Sequence, residues 1–471
     1  MGGFFGVASQ TDCVADVFYG ADYHSHLGTR RGGLVVRGEA GFKRNIHDIT
    51  NAPFRTKFEE DLPKHHGNMG MGVISDYEDQ PLMIGSHHGR YAIATVGRLD
   101  NLDALVATAL ARRDTHFAEL RGNEVNPTEL VATIINQEDS LVAGIQRVQR
   151  ETQGSCSLLI LTEQGLYAAR DRLGRTPVAL GRKLGAWAVT METCALPNLG
   201  YDVERHLGPG EIVRLTPDGI ETLSPPGPHL QICSFFWIYY GYPASSYEGI
   251  NVEVARNRCG AALAERDDVE VDSVAGVPDS GVGHAIGYAA RRGLPYRRPF
   301  VKYTPTWPRS FMPQEQRVRD LVAKMKLIPV EDLINGQRLL FCEDSIVRGT
   351  QLRDIITRLY AYGAREIHMR PACPPLVYSC KFLNFSRSRS LLDLAARKAM
   401  HEIEGDPNVA PDEYADARTP RYAKMVDVIR HHLGLTTLRY QRLDDMIAAI
   451  GLPREKLCTY CWDGHEPYGQ A

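Results

Sequence analysis

The sequence predicts a mixed α/β and α+β protein of two domains, residues 1–223 and residues 224–471. In the first range, short β-rich runs alternate with helical stretches, which is typical of sheet layers covered by helices. In the second, apolar strands end in polar or glycine-rich turns that lead into helices, the βαβ pattern of a parallel sheet. Between them, residues 224–228 form the densest proline and glycine cluster of the chain, where regular structure is disfavoured.

The composition is that of an ordinary globular protein and excludes several classes. The 471 residues exceed what one hydrophobic core usually supports. A net charge of -3 gives no broad attraction for nucleic acid, and no apolar run approaches the roughly 20 residues of a membrane helix. The N-terminus lacks the basic start and apolar core of a signal peptide, so we expect a cytoplasmic protein with neither nucleic-acid nor membrane partners.

Local patterns predict the individual elements. Apolar, β-rich runs predict strands at residues 157–161, 212–215, 273–277 and 339–342. Patterns with the helical period predict helices at residues 101–113, 352–362, 391–404 and 422–433.

The turn after the strand at residues 339–342 combines adjacent carboxylates with small and hydroxyl residues. Glu343 and Asp344 come first, and Ser345, Gly349 and Thr350 follow before the next helix. Backbone N–H groups at a helix N-terminus hold anions, and two carboxylates can hold the hydroxyls of a ribose. The turn therefore predicts a site for a ribose 5-phosphate, although the same residues alone would also suit a helix cap.

A second turn of this kind follows the strand at residues 273–277. Asp279 and Ser280 stand in it beside glycines, an arrangement suited to pyrophosphate and its magnesium ion. Magnesium takes most of its oxygen ligands from water and phosphate, so few protein groups are needed. Two such turns on one parallel sheet favour a binding site over two unrelated caps.

Between the two turns, residues 302–311 are rich in proline, aromatic and cationic side chains. Such a segment could close over a substrate and exclude water, with Lys302 and Arg309 placed against a departing pyrophosphate. The alternative is a solvated basic loop, since charge runs are usually surface features.

These motifs resemble the glutamine phosphoribosyl pyrophosphate amidotransferases, the family that opens purine synthesis. The string Asp-Ser-Ile-Val-Arg-Gly-Thr at residues 344–350 is the most specific match. Further family-like strings extend the resemblance over nearly the whole chain: Gly-Val-Pro-Asp-Ser at 276–280, Ala-Arg-Asp at 169–171 with Gly174, Gly-Pro-Gly-Glu at 208–211 and Arg-Pro-Ala-Cys-Pro-Pro at 370–375.

The resemblance implies an N-terminal αββα four-layer domain, like that of the N-terminal-nucleophile hydrolases, and a C-terminal type I phosphoribosyltransferase domain. It implies Mg2+ at Ser280, Glu343 and Asp344 and a catalytic Arg309 on the closing segment, and the residues of that segment predict Lys302 as a second catalytic cation. It implies that phosphoribosyl pyrophosphate (PRPP) is bound by Glu343, Asp344, Ser345, Ile346, Val347, Arg348, Gly349, Thr350, Asp279 and Ser280. Glu343 stands where the family usually has aspartate, which keeps the charge on a longer side chain.

The glutaminase half departs from the family at four related positions. The family's nucleophile is a cysteine made N-terminal by removal of the initiator methionine, and this chain has Gly2 there. The family's Arg-Tyr clamp, Asn-Gly oxyanion hole and amine-binding aspartate correspond to Val-Ile-Ser-Asp at 73–76, Val-Gly at 96–97 and Asn-Pro-Thr-Glu at 126–129. We therefore expect a degenerate class II glutaminase-like domain without glutaminase activity.

Ten cysteines are too few for a disulfide scaffold in a chain of this length. Cys458 and Cys461 form a CxxC pair, which alone leaves a metal site, a redox pair and chance open. One branch of the family carries a structural 4Fe-4S cluster, and its ligand positions imply Cys233, Cys380, Cys458 and Cys461 here, with Cys373 as the likeliest false match.

The expected function is PRPP-dependent phosphoribosyl transfer that forms phosphoribosylamine from ammonia rather than from internally hydrolysed glutamine. A separate glutaminase partner could deliver the ammonia, and the resemblance implies a homo-oligomer. Two alternatives stay open: transfer to another amine or base of a specialised pathway, and a non-catalytic subunit that senses PRPP or nucleotides. The carboxylates Glu343 and Asp344 argue against the sensor, since a binding relic is free to lose them.

Overall fold

The computed structural model describes residues 2–76, 78–113, 115–121, 124–303, 327–383 and 390–468. The strands in these ranges are β1 (Gly3–Ser9), β2 (Arg31–Gly38), β3 (Gly41–Asp48), β4 (Met69–Ser75), β5 (Leu82–Ser86), β6 (Gly89–Leu99), β7 (Leu120–Arg121), β8 (Glu124–Val125), β9 (Gly154–Leu161), β10 (Leu166–Ala169), β11 (Ala179–Lys183), β12 (Ala186–Thr190), β13 (Asp202–His206), β14 (Ile212–Thr216), β15 (Gly219–Ser224), β16 (Ile232–Cys233), β17 (Ser246–Tyr247), β18 (Ile250–Asn251), β19 (Ser273–Gly276), β20 (Phe300–Lys302), β21 (Leu327–Pro329), β22 (Arg338–Glu343), β23 (Glu366–Pro371), β24 (Thr437–Leu438) and β25 (Leu457–Cys458).

The α-helices in the same ranges are α1 (Val14–Asp22), α2 (Phe54–Phe58), α3 (Leu102–Ala111), α4 (Pro127–Ile135), α5 (Leu141–Glu151), α6 (Ala195–Asn198), α7 (Val252–Glu265), α8 (Gly281–Arg292), α9 (Thr350–Ala361), α10 (Ala395–Glu404), α11 (Pro411–Ala415), α12 (Pro420–Leu433), α13 (Leu443–Ile450) and α14 (Tyr460–Asp463). Short 3₁₀ turns lie at Leu62–Lys64, Glu331–Leu333, Leu391–Asp393 and Arg454–Lys456, and a π-helical turn lies at Phe236–Tyr240. None of the described helices has the length and apolar character needed to cross a bilayer.

The N-terminal half is built from two antiparallel sheets that pack face to face. The strand order is β13-β11-β12-β1-β4-β2-β3 in the first sheet and β15-β14-β10-β9-β6-β5 in the second. Successive side chains of β1 point to opposite faces of its sheet, which explains the layers on either side. Phe4 and Ala8 pack between the two sheets, while Phe5 and Val7 pack against α1. On the other side, α4 and α5 cover the second sheet through residues such as Leu130. The result is the αββα arrangement that the family resemblance implies.

The C-terminal half contains a parallel sheet in the order β19-β22-β23-β24. β19 and β22 are mostly apolar runs buried on both faces, as a sheet with helices on each side requires, and β23 is buried as well but carries His368 and Arg370. α7 and α8 pack on one face around Val274 and Leu340, and α9, α10 and α12 pack on the other around Phe341 and Met369. The predicted parallel sheet is confirmed. The predicted domain limit falls where β15 ends, and it stays a prediction.

The predicted helix at residues 391–404 is wrong at its start. A 3₁₀ turn covers Leu391–Asp393, Leu394 is extended with φ -75° and ψ 128°, and α10 begins only at Ala395. The N–H of Ala395 donates a hydrogen bond to the Val347 carbonyl at 2.7 Å. A tertiary contact with the turn after β22 therefore sets the start of α10, which the local pattern does not contain.

A buried ion pair fastens β23 to the end of α7, and it gives the first testable expectation. Arg370 donates two hydrogen bonds to Asp267, one of them from Nη2 at 3.1 Å, and the Tyr288 hydroxyl donates another at 2.8 Å. Asp267→Asn would leave the Arg370 charge buried without its counter-charge. We expect urea denaturation to show a loss of roughly 3–5 kcal/mol in the free energy of unfolding.

Asp268→Asn is the matched control for this substitution. Asp268 is exposed, and among the described residues it forms an ion pair with Arg439, at 2.9 Å, on the surface. Exposed pairs contribute little because water screens them, so this variant should unfold like the wild type. Equal destabilisation by the two substitutions would contradict the buried role of Asp267.

Candidate active site

β19 and β22 lie side by side and end at the same edge of the parallel sheet. Gly276 is paired with Cys342 in the parallel register. The turns that follow the two strands therefore meet, as the sequence predicts. Ser280 directly precedes α8 in one turn, and Glu343 with Asp344 begins the other.

The carboxylate of Asp344 is the centre of this edge. It is buried and accepts hydrogen bonds from the hydroxyls of Ser280 and Ser345, the latter at 2.5 Å. Glu343 accepts a hydrogen bond from the Asp344 N–H at 3.1 Å. Burial, and after it the charge of Asp344, raises the pKa of Glu343 well above its usual value. Two carboxylates and two hydroxyls thus share a small space rich in oxygen atoms.

The second turn ends in a conformation that suits an anion. Gly349 has a φ of 76°, in the left-handed region, and α9 begins at the next residue. Ile346 is buried in the core, so only its backbone is available to a ligand. Arg348 is exposed and lies 3.8 Å from Asp393. The first N–H groups of α9 have no partner within the helix and therefore offer donors at the same edge of the sheet.

Lys302 lies at the end of β20 and forms an ion pair with Asp279. The exposed fractions of the two side chains are 42% and 70%, so either can exchange its partner for a ligand in solvent. The structure thus brings Lys302 to the first turn. Arg309 and most of the predicted closing segment lie outside the described residues.

Two buried basic residues beside the site were not predicted. The guanidinium of Arg256 on α7 donates to the carbonyls of Trp237 and Gly241. His284 on α8 contacts the Ile238 carbonyl through Nε2 at 3.1 Å, and burial lowers the pKa of His284 to about 3, so it is neutral. Both residues fasten the π-helical turn to the helices that carry the site. The sequence contains little indication that Arg256 is buried, since α7 also carries an exposed arginine.

The four predicted ligand cysteines lie together and are buried. Cys233 in β16 is paired in register with Cys458 in β25. A hydrogen bond with Cys380 is the main cause that raises the pKa of Cys461, followed by burial and by the neighbouring thiols, Cys233 and Cys458 among them. The N–H of Leu383 donates a hydrogen bond to Cys380 Sγ at 3.3 Å.

Cys373 is buried as well, and the groups that act on its thiol include Asp344 and Trp462 rather than these four thiols. Burial and the charge of Asp344 raise the pKa of Cys373, which places its thiol near the carboxylate edge instead. In the described ranges, no group of three or more His, Cys, Asp or Glu side chains has the spacing of a metal site.

The positions that correspond to the family's glutaminase residues hold packed or capping groups. Gly2 is buried, and a Cβ at this position would lie 2.0 Å from the Ile74 carbonyl oxygen. Val96 is buried between the two sheets. Asn126 caps α4, since its side chain accepts from the Thr128 N–H at 2.9 Å. These side chains serve the packing of the domain.

Known proteins place the chain in a family. A family model described as a glutamine amidotransferase domain matches residues 68–198. A relative from Mycobacterium tuberculosis named amidophosphoribosyltransferase is 35% identical over 481 residues, which cover 99% of this chain and 86% of that protein. The chain belongs to the amidophosphoribosyltransferase family. An amidophosphoribosyltransferase from Bacillus subtilis is 28% identical over 482 residues, which cover 99% of this chain and 94% of the relative.

A solved structure gives the same result for the fold. The glutamine phosphoribosylpyrophosphate amidotransferase from B. subtilis, complexed with ADP and GMP, superposes with a TM-score of 0.84 at 27% identity, covering 99% of this chain and 97% of that chain. This amidophosphoribosyltransferase fold confirms the predicted resemblance, with its N-terminal-nucleophile hydrolase-like domain and its phosphoribosyltransferase domain. The roles of the individual site residues stay predictions.

Proposed function

We propose that this chain transfers the phosphoribosyl group of PRPP to ammonia and forms phosphoribosylamine, the reaction type that opens purine synthesis. The observation that carries the proposal is the meeting of Ser280, Glu343 and Asp344 at one edge of the parallel sheet, beside the N-terminus of α9. The names of the relatives support the assignment. The ribose hydroxyls contact the two carboxylates, and the 5-phosphate contacts the backbone of residues 345–350.

The oxygen groups at this edge fit a magnesium ion. Mg2+ takes carboxylate, hydroxyl, water and phosphate oxygens, and it needs few ligands from the protein. Without a cation, burial and the Asp344 charge disfavour the ionised form of Glu343 and raise its pKa. A bound magnesium ion would remove that penalty and would neutralise charge on the leaving pyrophosphate.

In the transfer, the bond between C1 of the ribose and a pyrophosphate oxygen breaks, a bond from C1 to nitrogen forms, and the nitrogen releases a proton. Glu343 and Asp344 hold the ribose in the orientation that exposes C1 to the nucleophile. Lys302 exchanges Asp279 for a pyrophosphate oxygen and places positive charge where negative charge develops. Arg309 is proposed for the same task.

We infer that the nitrogen comes from ammonia in solution or from a separate glutaminase, and not from this chain's own N-terminal half. A nucleophilic side chain at Gly2 has no room, because its Cβ would lie 2.0 Å from the Ile74 carbonyl oxygen. Gly3 is confined in the same way by His24, whose Cδ2 would lie 2.5 Å from a Cβ. Val96 offers no side-chain donor for an oxyanion. The match to a glutamine amidotransferase domain indicates that this half is related to such domains. The proposal is that this half no longer hydrolyses glutamine.

The experiment that tests the proposal measures pyrophosphate release from PRPP and magnesium, with and without ammonium. Release that depends on ammonium supports it, and no release under either condition rejects it. A mass-spectrometric screen of other amines and bases distinguishes transfer to ammonia from transfer to a specialised acceptor. Sedimentation and cell fractionation test the remaining proposals, a homo-oligomer located in the cytoplasm.

We also propose that Cys233, Cys380, Cys458 and Cys461 hold a 4Fe-4S cluster. The donor types fit, because all four thiols are buried and neighbour one another and a backbone N–H already donates to Cys380 Sγ, but in the described residues the thiols do not have the spacing of metal ligands. Such a cluster would cross-link β16, β25 and the segment around Cys380. Its role is therefore structural in this proposal.

Iron analysis gives the second testable expectation. Protein purified without oxygen should contain about four iron atoms and four sulfides per chain. Cys461→Ser should lose most of this iron, because it removes one ligand from the group. Cys373→Ser is the control and should keep its iron, since the Cys373 thiol lies near Asp344 instead. Equal iron loss in both variants would contradict the assignment of the four ligands.

A further inference from the structure

One arginine of the N-terminal half is buried beside the cysteines that the C-terminal half contributes. Arg175 is 4% exposed, and its Cζ lies 3.5 Å from the centre of the Phe382 ring. The Arg175 carbonyl accepts a hydrogen bond from the Cys233 N–H at 3.1 Å. Arg175 therefore contacts both β16 and the segment that follows Cys380.

Among the described residues, the Arg175 guanidinium forms no ion pair, although the Asp171 carboxylate accepts the Arg175 backbone N–H at 3.1 Å. Its Nε has no hydrogen-bond partner among the described residues. Arg98 also reaches the cysteine group, with Nη1 donating to the Cys380 carbonyl at 3.0 Å, but its charge is paired with Asp100 at 2.5 Å. A buried guanidinium without a paired anion is costly, so negative charge supplied beside Arg175 would stabilise it.

The cysteine group can supply that negative charge. Phe382, whose ring the Arg175 guanidinium faces, lies two residues after Cys380, and the Arg175 carbonyl is hydrogen-bonded to the Cys233 N–H, so Arg175 lies beside the cysteine group. Four thiolates outweigh the positive charge of an iron-sulfur core, so the loaded site is an anion. In an interior of low dielectric, this anion and the guanidinium attract each other strongly.

We propose that Arg175 is the counter-cation of the four-cysteine site, where it raises the reduction potential and slows the loss of iron. The inference rests on the proposed cluster. Arg175 belongs to the glutaminase-like half and the four cysteines belong to the transferase half. The attraction between the guanidinium and the cluster therefore also couples the two halves. Loading of the site should therefore order the loop that carries Arg175.

The test compares Arg175→Gln and Arg175→Lys with the wild type in the full-length, anaerobically purified protein. Arg175→Gln keeps polarity but removes the charge, so we expect a more negative reduction potential and iron loss to a chelator roughly tenfold faster. Arg175→Lys keeps the charge and should stay near the wild type. Arg172→Gln is the matched control, since Arg172 is an exposed arginine of the same loop.

The outcomes separate this inference from the cluster itself. Wild-type protein without iron would overturn both proposals. Wild-type protein with iron whose potential and iron loss do not change in Arg175→Gln would overturn only the role of Arg175. A lysine variant that behaves like the glutamine variant would also overturn it, because charge would then be irrelevant.

If Arg175→Gln does not fold, a measurement on the wild-type protein still tests the coupling between the Arg175 loop and the cluster. Hydrogen exchange of residues 170–176 should become faster when a chelator removes the iron, while α4, on the outer face of the second sheet, should exchange as before. Unchanged exchange of residues 170–176 after iron removal would contradict the coupling.

Discussion

Asp344→Asn is expected to reduce pyrophosphate release by roughly 10²- to 10³-fold, the size of effect seen when one preorganised electrostatic group is lost from an active site. Asp344 accepts the hydroxyls of Ser280 and Ser345, and with Glu343 it forms the oxygen-rich edge proposed for magnesium. Asparagine keeps one acceptor but loses the charge. The loss should appear in steady-state pyrophosphate release at saturating ammonium, with the fold checked by circular dichroism.

Two further variants make this result specific. Asp354→Asn removes an exposed carboxylate from the adjacent helix α9 and should leave the rate unchanged. Glu343→Asp restores the residue that is usual in the family, and it should keep substantial activity because the charge is retained. An Asp344→Asn variant that kept the full rate would contradict the proposed role of Asp344, and one that kept full cellular function without catalysis would favour the sensing subunit.

Much of the fold could be predicted because its periodicities are local. The strands at residues 273–277 and 339–342 are continuous apolar runs, which is the pattern of a parallel sheet buried on both faces. Gly281 shows how the sequence also permits the turns to meet, since a Cβ there would lie 2.4 Å from the Cys342 carbonyl oxygen. The meeting of the two turns follows from the rule that parallel strands present their carboxyl ends at one edge.

The remaining features depend on contacts between distant parts of the chain. The start of α10 follows from the hydrogen bond between Ala395 and Val347, which no local period records. Arg256 and Arg175 look like ordinary surface arginines in the sequence, and only the packed structure reveals that both are buried. Burial of a charged group is a tertiary property, so the residues around a site are harder to predict than the residues in its motif.

The N-terminal half also combines a feature that is visible in the sequence with one that only the folded structure shows. The sequence records the missing cysteine at position 2 directly, but it does not record how little space the backbone leaves there. The available space determines whether a single substitution can restore a working cysteine at position 2. It can be tested by comparing glutamine with ammonium as the nitrogen source.

Glutamine is expected to support less than about 1% of the pyrophosphate release that ammonium supports, because position 2 carries glycine and position 96 carries valine where the family has its nucleophile and its side-chain oxyanion donor. Gly2→Cys should not restore glutamine use or release glutamate. Its Cβ would meet the Ile74 carbonyl oxygen, so β1 would have to move before the thiol could reach a substrate. Side-by-side assays with glutamine and ammonium, on the wild type and the variant, measure the contrast.

Gly2→Ala is the matched control, since it adds the same Cβ without a thiol. If steric crowding governs this position, the alanine and cysteine variants should lose stability equally, and both should keep ammonium-dependent release, because the carboxylate edge lies in the other domain. Glutamate release by Gly2→Cys but not by Gly2→Ala would mean that the pocket still binds glutamine and lacks only its nucleophile. Glutamine-supported turnover by the wild type would instead place a working glutaminase in this half and would overturn the proposed use of ammonia.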